Sequence, residues 1–423
     1  MTLTKKNLPQ AALSVVAAMC SFFIVVQVFT ALPIRALAVR STLEATMMLP
    51  PQDKEGRTNV LIVGVGDTNH TAADLTDAII IASVDPATSS VSLLSIPRDT
   101  FVEATEETPA GRINALYWSY KNRLKSVAGV SESGASVLAL DLLARDIGNR
   151  VGIDIQGVMK IDFSGFAEVV DVVGGIEIDV PEDLTDYSYP LEEGVVGTFE
   201  VKKGLQHMSG ETALRYARSR HSTSDFDRSL RQQQILAALR STVEKRGMLQ
   251  NLQALIPLQK TLEDHFLTTF SESDLLGLAG LLSVVPQDRI LKMNLNQYTG
   301  GDVSDAQAGG MITAAPPEIA GSGAILMPAS ESGKPGDWSR IQTFATFLFS
   351  HRELYFSHST ISVERTDGKQ LDAHRLRNDL ARYGFDAKED VRIIHGRCMY
   401  FPDHAVRELC RKAGPPPLYS VQA

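Results

Sequence analysis

The residues best suited to chemistry are arginines clustered in the segment RYARSRHSTSDFDRSLRQQQILAAL, residues 215–239. A helix that starts near Asp225 would place this carboxylate beside the unpaired N–H groups of the first turn. The apolar stripe of that helix, projected backwards by turns of three and four, runs through Gln232 to Arg228, with Arg231 one position away. The pattern predicts an arginine and a glutamine on the inward face of an amphipathic helix.

Burial of these arginines would require a partner, because a buried guanidinium is costly unless an anion or a hydrogen-bond acceptor meets it. Arg218 and Arg220 lie one turn earlier, just before the predicted connecting loop. Guanidinium groups bind phosphate oxygens bidentately, so the cluster favours phosphate or pyrophosphate as the ligand. The alternative is a solvated basic helix paired with nearby acids. The place of Arg228 on the apolar stripe favours the binding site.

A second group of polar residues lies at the ends of predicted strands. Asp67 follows NVLIVGVG, Asp77 opens AIIIASV, and the pair Arg98-Asp99 follows SVSLLSIP. If these runs pair in one sheet, the polar residues gather at one edge of it. Carboxylate oxygens are ligands that Mg²⁺ prefers, together with substrate phosphates, although an aspartate alone often marks only a turn. Arg112, at the start of a predicted helix, would add a phosphate contact or a surface charge.

The elements that must position these residues alternate between strands and helices. Three continuously apolar runs at 59–65, 78–84 and 90–96 are typical of central strands covered on both faces. Further strands are predicted at 158–161, 176–180, 199–202 and 289–296. Helices are predicted at 114–127, 133–148, 163–172, 209–219, 225–246, 250–284 and 338–350, and loops at 182–197 and 298–323. The fold class is therefore α/β, with a mixed central β-sheet flanked by helices.

The N-terminal region predicts a membrane anchor. No Asp, Glu, Lys or Arg occurs from Asn7 to Ile34, and about 20 apolar residues suffice for a helix to cross a bilayer. Lys5 and Lys6 precede this run and Arg35 and Arg40 follow it, so the positive-inside rule favours a cytoplasmic N-terminus only weakly. A cleavable signal peptide with Ala36-Leu37-Ala38 at its cleavage site is the alternative, but its apolar region would usually span only about 7–15 residues.

The remaining sequence divides into segments of different composition. The predicted boundaries are 1–10 (cytoplasmic N-terminus), 11–34 (single transmembrane helix), 35–56 (linker), 57–350 (α/β catalytic domain), 359–411 (small C-terminal α/β domain) and 412–423 (disordered tail). Cys398 and Cys410 would form a disulfide only if their geometry allows it and the region is exported. The net charge of −9 over 423 residues disfavours nucleic acid as a partner.

In these motifs the chain resembles the LytR–CpsA–Psr family of cell-envelope proteins. The segments that carry the resemblance cover roughly residues 57–245. In order they are NVLIVGVGD, LTDAIIIASVDP, VSLLSIPRDT, GRINALY, FSGFAEVVDVVGGIEIDVPEDL, GLQHMSGETALRYARSR and DFDRSLRQQQILAAL. Residues 359–411 are similar to a small C-terminal domain of some members, although an expected Asn-Gly reads Asp367-Gly368 here.

The resemblance implies a Mg²⁺-dependent phosphotransferase outside the cytoplasm, held in the cell membrane by its N-terminal helix. Such an enzyme moves a glycopolymer from a polyprenyl-pyrophosphate carrier to a peptidoglycan hydroxyl. The resemblance places Mg²⁺ at Asp67 and Asp77. It assigns pyrophosphate binding to Arg98, Arg112, Arg218, Arg220, Asp225, Arg228, Arg231 and Gln232. The expected catalytic residues are Asp77, Arg98, Asp99 and Arg228.

Two departures from the family pattern affect these expectations. Leu75 stands where an arginine is frequent, which removes one phosphate contact. The approach to Asp67 has one extra residue in Gly64-Val65-Gly66, which weakens the assignment of Asp67 as a metal ligand. A lipid-carrier (pyro)phosphatase using water, and a non-catalytic protein that binds anionic wall polymer, remain alternatives on sequence alone.

Overall fold

The computed structural model describes residues 49–67, 73–192, 195–219, 227–245, 265–295, 310–321, 324–329, 334 and 336–356. These residues form two compact units. The first comprises the described parts of Met1–Arg98, Asn114–Asp146 and Asp154–Asn294, and the second comprises those of Asp99–Ile113, Ile147–Ile153 and Leu295–Ala423.

The strands of the described residues largely match the apolar runs of the sequence. They are β1 (Thr58–Val65), β2 (Thr76–Asp85), β3 (Ser90–Ser95), β4 (Phe101–Val102), β5 (Gly111–Arg112), β6 (Gly157–Asp162), β7 (Ile176–Val180), β8 (Leu184–Glu192), β9 (Val195–Val201), β10 (Gly204–Met208), β11 (Phe266–Thr268), β12 (Ile290–Asn294), β13 (Ile312–Ala314) and β14 (Leu326–Pro328). The predictions for β1, β2, β3, β6, β7 and β12 are thereby confirmed to within a few residues.

The described residues also form α-helices. They are α1 (Leu116–Ser126), α2 (Glu132–Val151), α3 (Phe163–Val172), α4 (Gly210–Arg218), α5 (227–245), α6 (Glu272–Ser283), α7 (Pro317–Ala320), α8 (Ser339–Ser350) and α9 (Glu353–Phe356). The predictions for α1 to α5 and α8 are confirmed, which establishes the α/β fold class.

A six-stranded mixed sheet in the order β11-β6-β1-β2-β3-β12 forms the frame of the first unit. β1 runs antiparallel to β2 and parallel to β6, and β2 runs antiparallel to β3. The end of β1, the start of β2 and the ends of β3 and β6 therefore meet at one edge of the sheet. This topology brings Asp77, Arg98 and Asp162 to the same edge.

Helix α5 packs between two apolar clusters of the first unit. Ile235 is buried in a cluster with β7–β10, α3 and α4. Leu236 packs against the other cluster, which covers one face of the sheet around Ile80 and Leu93. The apolar stripe read from the sequence is thus the buried face of the helix, and Arg228 at its start is only 5% exposed.

The prediction of a loop at 182–197 was wrong, because β8 and β9 form a long antiparallel hairpin there. Leu184, Tyr189 and Phe199 point into the core cluster behind it. Pro190 and the acidic residues interrupt the apolar alternation by which a strand is recognised in a sequence. Proline is tolerated in such a strand when it lies at an edge.

Two smaller predictions also need correction, and one strand was missed. The helix predicted at 250–284 contains β11, and α6 begins only after Ser271, whose side chain and Asp274 form a capping box. Short elements β13 and α7 occur within the predicted loop 298–323. The strand β10 was not predicted, because its sequence GLQHM contains only two apolar residues, whereas IEIDV of the equally short β7 alternates throughout.

The second unit has its own small elements. β4 pairs with β5 and β13 with β14, and Thr100 bridges to Leu326. The buried face of α8 includes Phe344 and Leu348. None of the helices in the described ranges is long and apolar enough to span a membrane. The predicted span at 11–34, the C-terminal domain at 359–411 and both of its cysteines lie outside the described residues.

The start of β1 is fixed by the buried carboxylate of Asp53. One of its oxygens accepts hydrogen bonds from the backbone N–H groups of Glu55 and Arg57, at 3.0 and 2.9 Å. The other accepts from Arg57 Nε and Asn59 Nδ2, both at 2.9 Å. Burial alone would raise the pKa of Asp53, but the hydrogen bonds from Arg57 and Asn59 and the charge of Arg57 outweigh it and leave the pKa lowered.

We predict that Asp53→Asn destabilises the first unit. Because the folded pKa of Asp53 is depressed, its stabilising contribution is present above the unfolded value of 3.8 and is lost as pH falls through the folded value. The variant should lower the thermal unfolding midpoint of the full-length chain at pH 7 by about 4–8 °C, for a loss of about 2 kcal/mol. The difference from the wild type should shrink at pH 3 and below.

The matched control is Asp183→Asn, which changes an exposed carboxylate that also accepts a backbone hydrogen bond, from Lys203. Its unfolding midpoint should stay within about 1 °C of the wild type, since surface changes have small effects. Equal midpoints for the Asp53 and Asp183 variants at pH 7 would contradict the role of Asp53.

Candidate functional site: an apolar cavity ending in arginines

A cavity of about 470 Å³ lies in the first unit, between the sheet, α5 and the β8–β9 hairpin. Its walls are mainly apolar and include Ile62, Ile80, Ile161, Phe166, Leu214 and Leu236. Small residues make room for it at the edge of the sheet. Gly64 and Ala78 face each other on β1 and β2, and both line the cavity.

The polar groups of the cavity lining include three arginines, one glutamine and three aspartates. They are Arg98, Arg218, Arg228, Gln232, Asp77, Asp162 and Asp186. Five of these seven come from the residues selected in the sequence. An elongated ligand with an apolar part and a phosphate group would match both kinds of wall.

Arg98 and Asp77 form an ion pair at the edge of the sheet. Asp77 is the second residue of β2, and Arg98 follows β3 by three residues. Both side chains keep partial contact with solvent and both line the cavity. The prediction that they gather at one sheet edge is therefore confirmed.

Arg218 is the last residue of α4 and stacks on an aromatic ring. Its guanidinium carbon lies 4.2 Å from the centre of the Phe163 ring and 6.0 Å from that of Tyr189. Helix α4 can approach α3 closely because Gly210 has no side chain, as a Cβ there would lie 2.0 Å from the backbone oxygen of Ala167. Ring stacking fixes the plane of the guanidinium in the cavity.

Arg231 is buried, but it hydrogen-bonds to backbone carbonyl groups and does not line the cavity. Its Nε donates to the carbonyl of Tyr216 at 2.9 Å, and a terminal nitrogen donates to that of Ser219 at 2.5 Å. Burial lowers its pKa, opposed by Tyr216, Asp227 and Asp186. Arg231 thus stabilises the C-terminal end of α4, directly beside Arg218.

The hydroxyl of Ser219 extends this connection to the hairpin. It donates to a carboxylate oxygen of Asp186 on β8 at 2.9 Å, and both side chains are buried. The three residues Asp186, Ser219 and Arg231, here called the latch, join β8, the end of α4 and α5. The latch therefore fixes the backbone directly after Arg218.

Asp162 at the end of β6 has a structural role as well as a place in the cavity lining. One oxygen accepts the N–H of Gly165 and so caps α3, and the other lies 2.9 Å from Nδ1 of His265. Sequence reasoning missed Asp162 and Asp186. The only available signal for Asp162 was an acidic residue directly before the helix that begins FSGF.

Asp67 lies near the same sheet edge, but its carboxylate accepts a hydrogen bond from the backbone. One of its oxygens accepts the N–H of Ser164 in the first turn of α3, at 2.8 Å. Among the described residues, no three His, Cys, Asp or Glu side chains are placed to hold a metal ion by themselves. A magnesium ion at Asp77 would need phosphate oxygens and water for its other ligands, which is usual for Mg²⁺.

Two further selected residues, Asp99 and Arg112, are not among the residues that line this cavity. Asp99 and Arg112 belong to the second unit, where Arg112 Nε lies 3.1 Å from a carboxylate oxygen of Asp99. Arg220 and Asp225 lie outside the described residues, so their roles stay predictions. Leu75 precedes β2, and its neighbour Asp74 pairs with Lys121.

Comparison with known proteins identifies related sequences. The model of the LytR_cpsA_psr family matches residues 35–313. The chain is 29% identical over 250 residues to the polyisoprenyl-teichoic acid–peptidoglycan teichoic acid transferase TagV of Bacillus subtilis, covering 58% of this chain and 57% of that protein. It is 30% identical over 183 residues to TagU of Halalkalibacterium halodurans, covering 43% and 51%.

Among solved structures, the crystal structure of B. subtilis TagV is similar, with a TM-score of 0.48 and 23% identity, over 70% of this chain and 99% of that one. The chain spans about half the length of the curated relatives it matches.

We predict that Ser219→Ala weakens anion binding by releasing the latch. Loss of the hydroxyl removes a partner of the buried Asp186 carboxylate and loosens the backbone beside Arg218. The affinity of the full-length protein for inorganic pyrophosphate, measured by isothermal titration calorimetry, should fall about three- to tenfold.

The matched control is Ser209→Ala, at the other end of the same helix. Ser209 caps α4 by accepting the N–H of Thr212, so its loss should cost about 1 kcal/mol in stability while leaving pyrophosphate affinity unchanged. If the two variants bind pyrophosphate equally, the latch does not orient Arg218.

Proposed function

The chain belongs to the LytR–CpsA–Psr family, and we propose that it is a phosphotransferase of cell-wall assembly. In this proposal it transfers a glycopolymer from a polyprenyl-pyrophosphate carrier to a hydroxyl of peptidoglycan and forms a phosphodiester. Its relatives TagV and TagU carry names for a reaction of this class.

The observation that carries the proposal is the pairing of two chemistries in one cavity. Apolar walls formed by Ile62, Phe166 and Leu236 suit a prenyl chain, and Arg98, Arg218 and Arg228 suit a pyrophosphate. A substrate with a hydrocarbon tail and a diphosphate head is complementary to both.

The reaction needs positioning and charge stabilisation more than covalent catalysis. The acceptor hydroxyl oxygen attacks the sugar-linked phosphorus, its proton passes to solvent water, and the bond from that phosphorus to the bridging oxygen breaks. The polyprenyl monophosphate departs with the electron pair of that bond. Arg218 and Arg228 would stabilise the charge that develops on the phosphoryl oxygens, and Gln232 would donate to one of them.

A divalent cation fits the charge balance of the described lining. Three arginines there face three aspartates, so the protein charges roughly cancel before a diphosphate enters. Asp77 would hold Mg²⁺, with Asp67 as a second candidate. Mg²⁺ would supply further positive charge at the phosphate oxygens.

We also propose that the protein acts at the outer face of the cell membrane. The apolar run at 11–34 would anchor it there with its N-terminus in the cytoplasm. This location would give the active site access to both a membrane lipid and the wall.

The test is a transfer assay with the full-length protein in detergent micelles. It contains Mg²⁺, a polyprenyl-pyrophosphate-linked sugar and peptidoglycan fragments, and mass spectrometry follows the phosphodiester product and the lipid phosphate. Arg228→Ala and Asp77→Ala should each lower kcat/KM by about 10²–10³-fold. Arg228→Lys should recover only part of the loss, because lysine cannot bind two oxygens in a fork.

The control is Arg123→Ala, which removes an exposed arginine on α1 and should leave the rate unchanged. Sugar-phosphate released without an acceptor adduct would instead identify a hydrolase. Lipid that binds but stays intact, with no effect of Asp77→Ala, would identify a binding protein and contradict the proposal.

A further inference from the structure

Three exposed apolar side chains lie on the β8–β9 hairpin, whose strand β8 also contributes Asp186, Ser188 and Pro190 to the cavity lining. Tyr187, Val195 and Val196 are 73%, 49% and 65% exposed. Isolated apolar residues are common on surfaces, but a cluster beside a binding cavity indicates a contact site. This group of three is called the lip.

One residue of the lip, Val196, is continuous with the cavity wall. Pro190 lines the cavity and is paired directly with Val196 in the antiparallel hairpin. Side chains of directly paired residues lie on the same face of a sheet, so Val196 extends the surface that Pro190 begins. Val195 points to the opposite face of the same strand, and Tyr187 lies in the irregular part of β8 between Asp186 and Tyr189, so the hairpin exposes apolar side chains beyond the cavity face as well.

We propose that the lip is the surface through which the protein contacts the lipid bilayer when its substrate enters the cavity. This inference rests on the proposed function, because a prenyl chain must pass from the bilayer into the apolar cavity. A route over apolar residues avoids exposing that chain to water. The structure thereby assigns the hairpin a role in substrate entry.

The chemistry of the lip favours a bilayer over a glycan. Valine side chains offer no hydrogen bonds to sugar hydroxyls, whereas a tyrosine ring with its hydroxyl suits the membrane–water interface. The described part of the hairpin also carries the exposed acidic residue Glu200. The contact is therefore apolar, and anionic lipids should not strengthen it.

The test compares two substrates that share the active site but differ in their access to it. The full-length protein is reconstituted in phosphatidylcholine vesicles. It is assayed with a long-chain polyprenyl-pyrophosphate sugar in the bilayer and with a water-soluble analogue that has two isoprene units. In V195T/V196T the ratio of kcat/KM for the long to the short substrate should fall at least about fivefold. Threonine keeps the shape and the strand preference of valine.

The matched control is V127T, because Val127 is 76% exposed, lies between α1 and α2 and is not among the residues that line the cavity. Its ratio should equal that of the wild type. An unchanged ratio in V195T/V196T, or an equal loss with both substrates, would overturn the proposal. The second result would assign the lip to the acceptor.

A spectroscopic measurement tests the lip independently of turnover. The indole introduced by V196W should be quenched by brominated phospholipid in the vesicles, after subtraction of the wild-type signal from Trp118 and Trp338. The indole introduced by V127W should not be quenched. Absent quenching at position 196 would overturn the proposal. An inactive wild type that still shows quenching there would refute only the transferase function.

Discussion

The burial of a guanidinium beside an apolar cavity is the constraint on which the candidate site depends. Arg228 begins the inward face of α5, and the same face continues into Ile235 and Leu236, which enter two different core clusters. The helix cannot turn Arg228 towards solvent without withdrawing both aliphatic side chains from the core. Their burial, worth about 1.5–3 kcal/mol each, therefore holds the charge next to the cavity.

The cavity exists because the side chains of the sheet become smaller towards one end of its strands. In the middle, β1, β2 and β3 carry large aliphatic side chains that fill the space under the helices. At the edge, Gly64 faces Ala78, where a Cβ on the glycine would lie 3.3 Å from that of the alanine. Two small residues at paired positions leave a gap, and the hairpin and α5 pack over it. Close packing elsewhere keeps the gap from collapsing.

Sequence alone predicted the parts of this site that follow from periodicity. The apolar stripe from Ile235 back to Arg228 repeats over several turns and forms the buried face of α5. The three continuous apolar runs form neighbouring strands of the main sheet. The proximity of Asp77 and Arg98 at one sheet edge was predicted from the expected pairing of their strands.

The hairpin and its residues could not be predicted in this way. Asp186 looks like one acid among several in a polar stretch, and only the fold shows that it is buried against Ser219. The same holds for Asp162, whose role as a helix cap depends on where β6 ends. Contacts between residues distant in sequence leave no local pattern.

The arginines of the first unit are held in different ways, and the difference bears on chemistry. Arg231 donates to backbone carbonyls, which fixes it as part of the frame. Arg98 is paired with a carboxylate, so part of its charge is already balanced. Arg218 rests on the ring of Phe163. A ring orients a guanidinium without neutralising it, so Arg218 can offer more of its charge to an anionic ligand than an arginine bound to an aspartate.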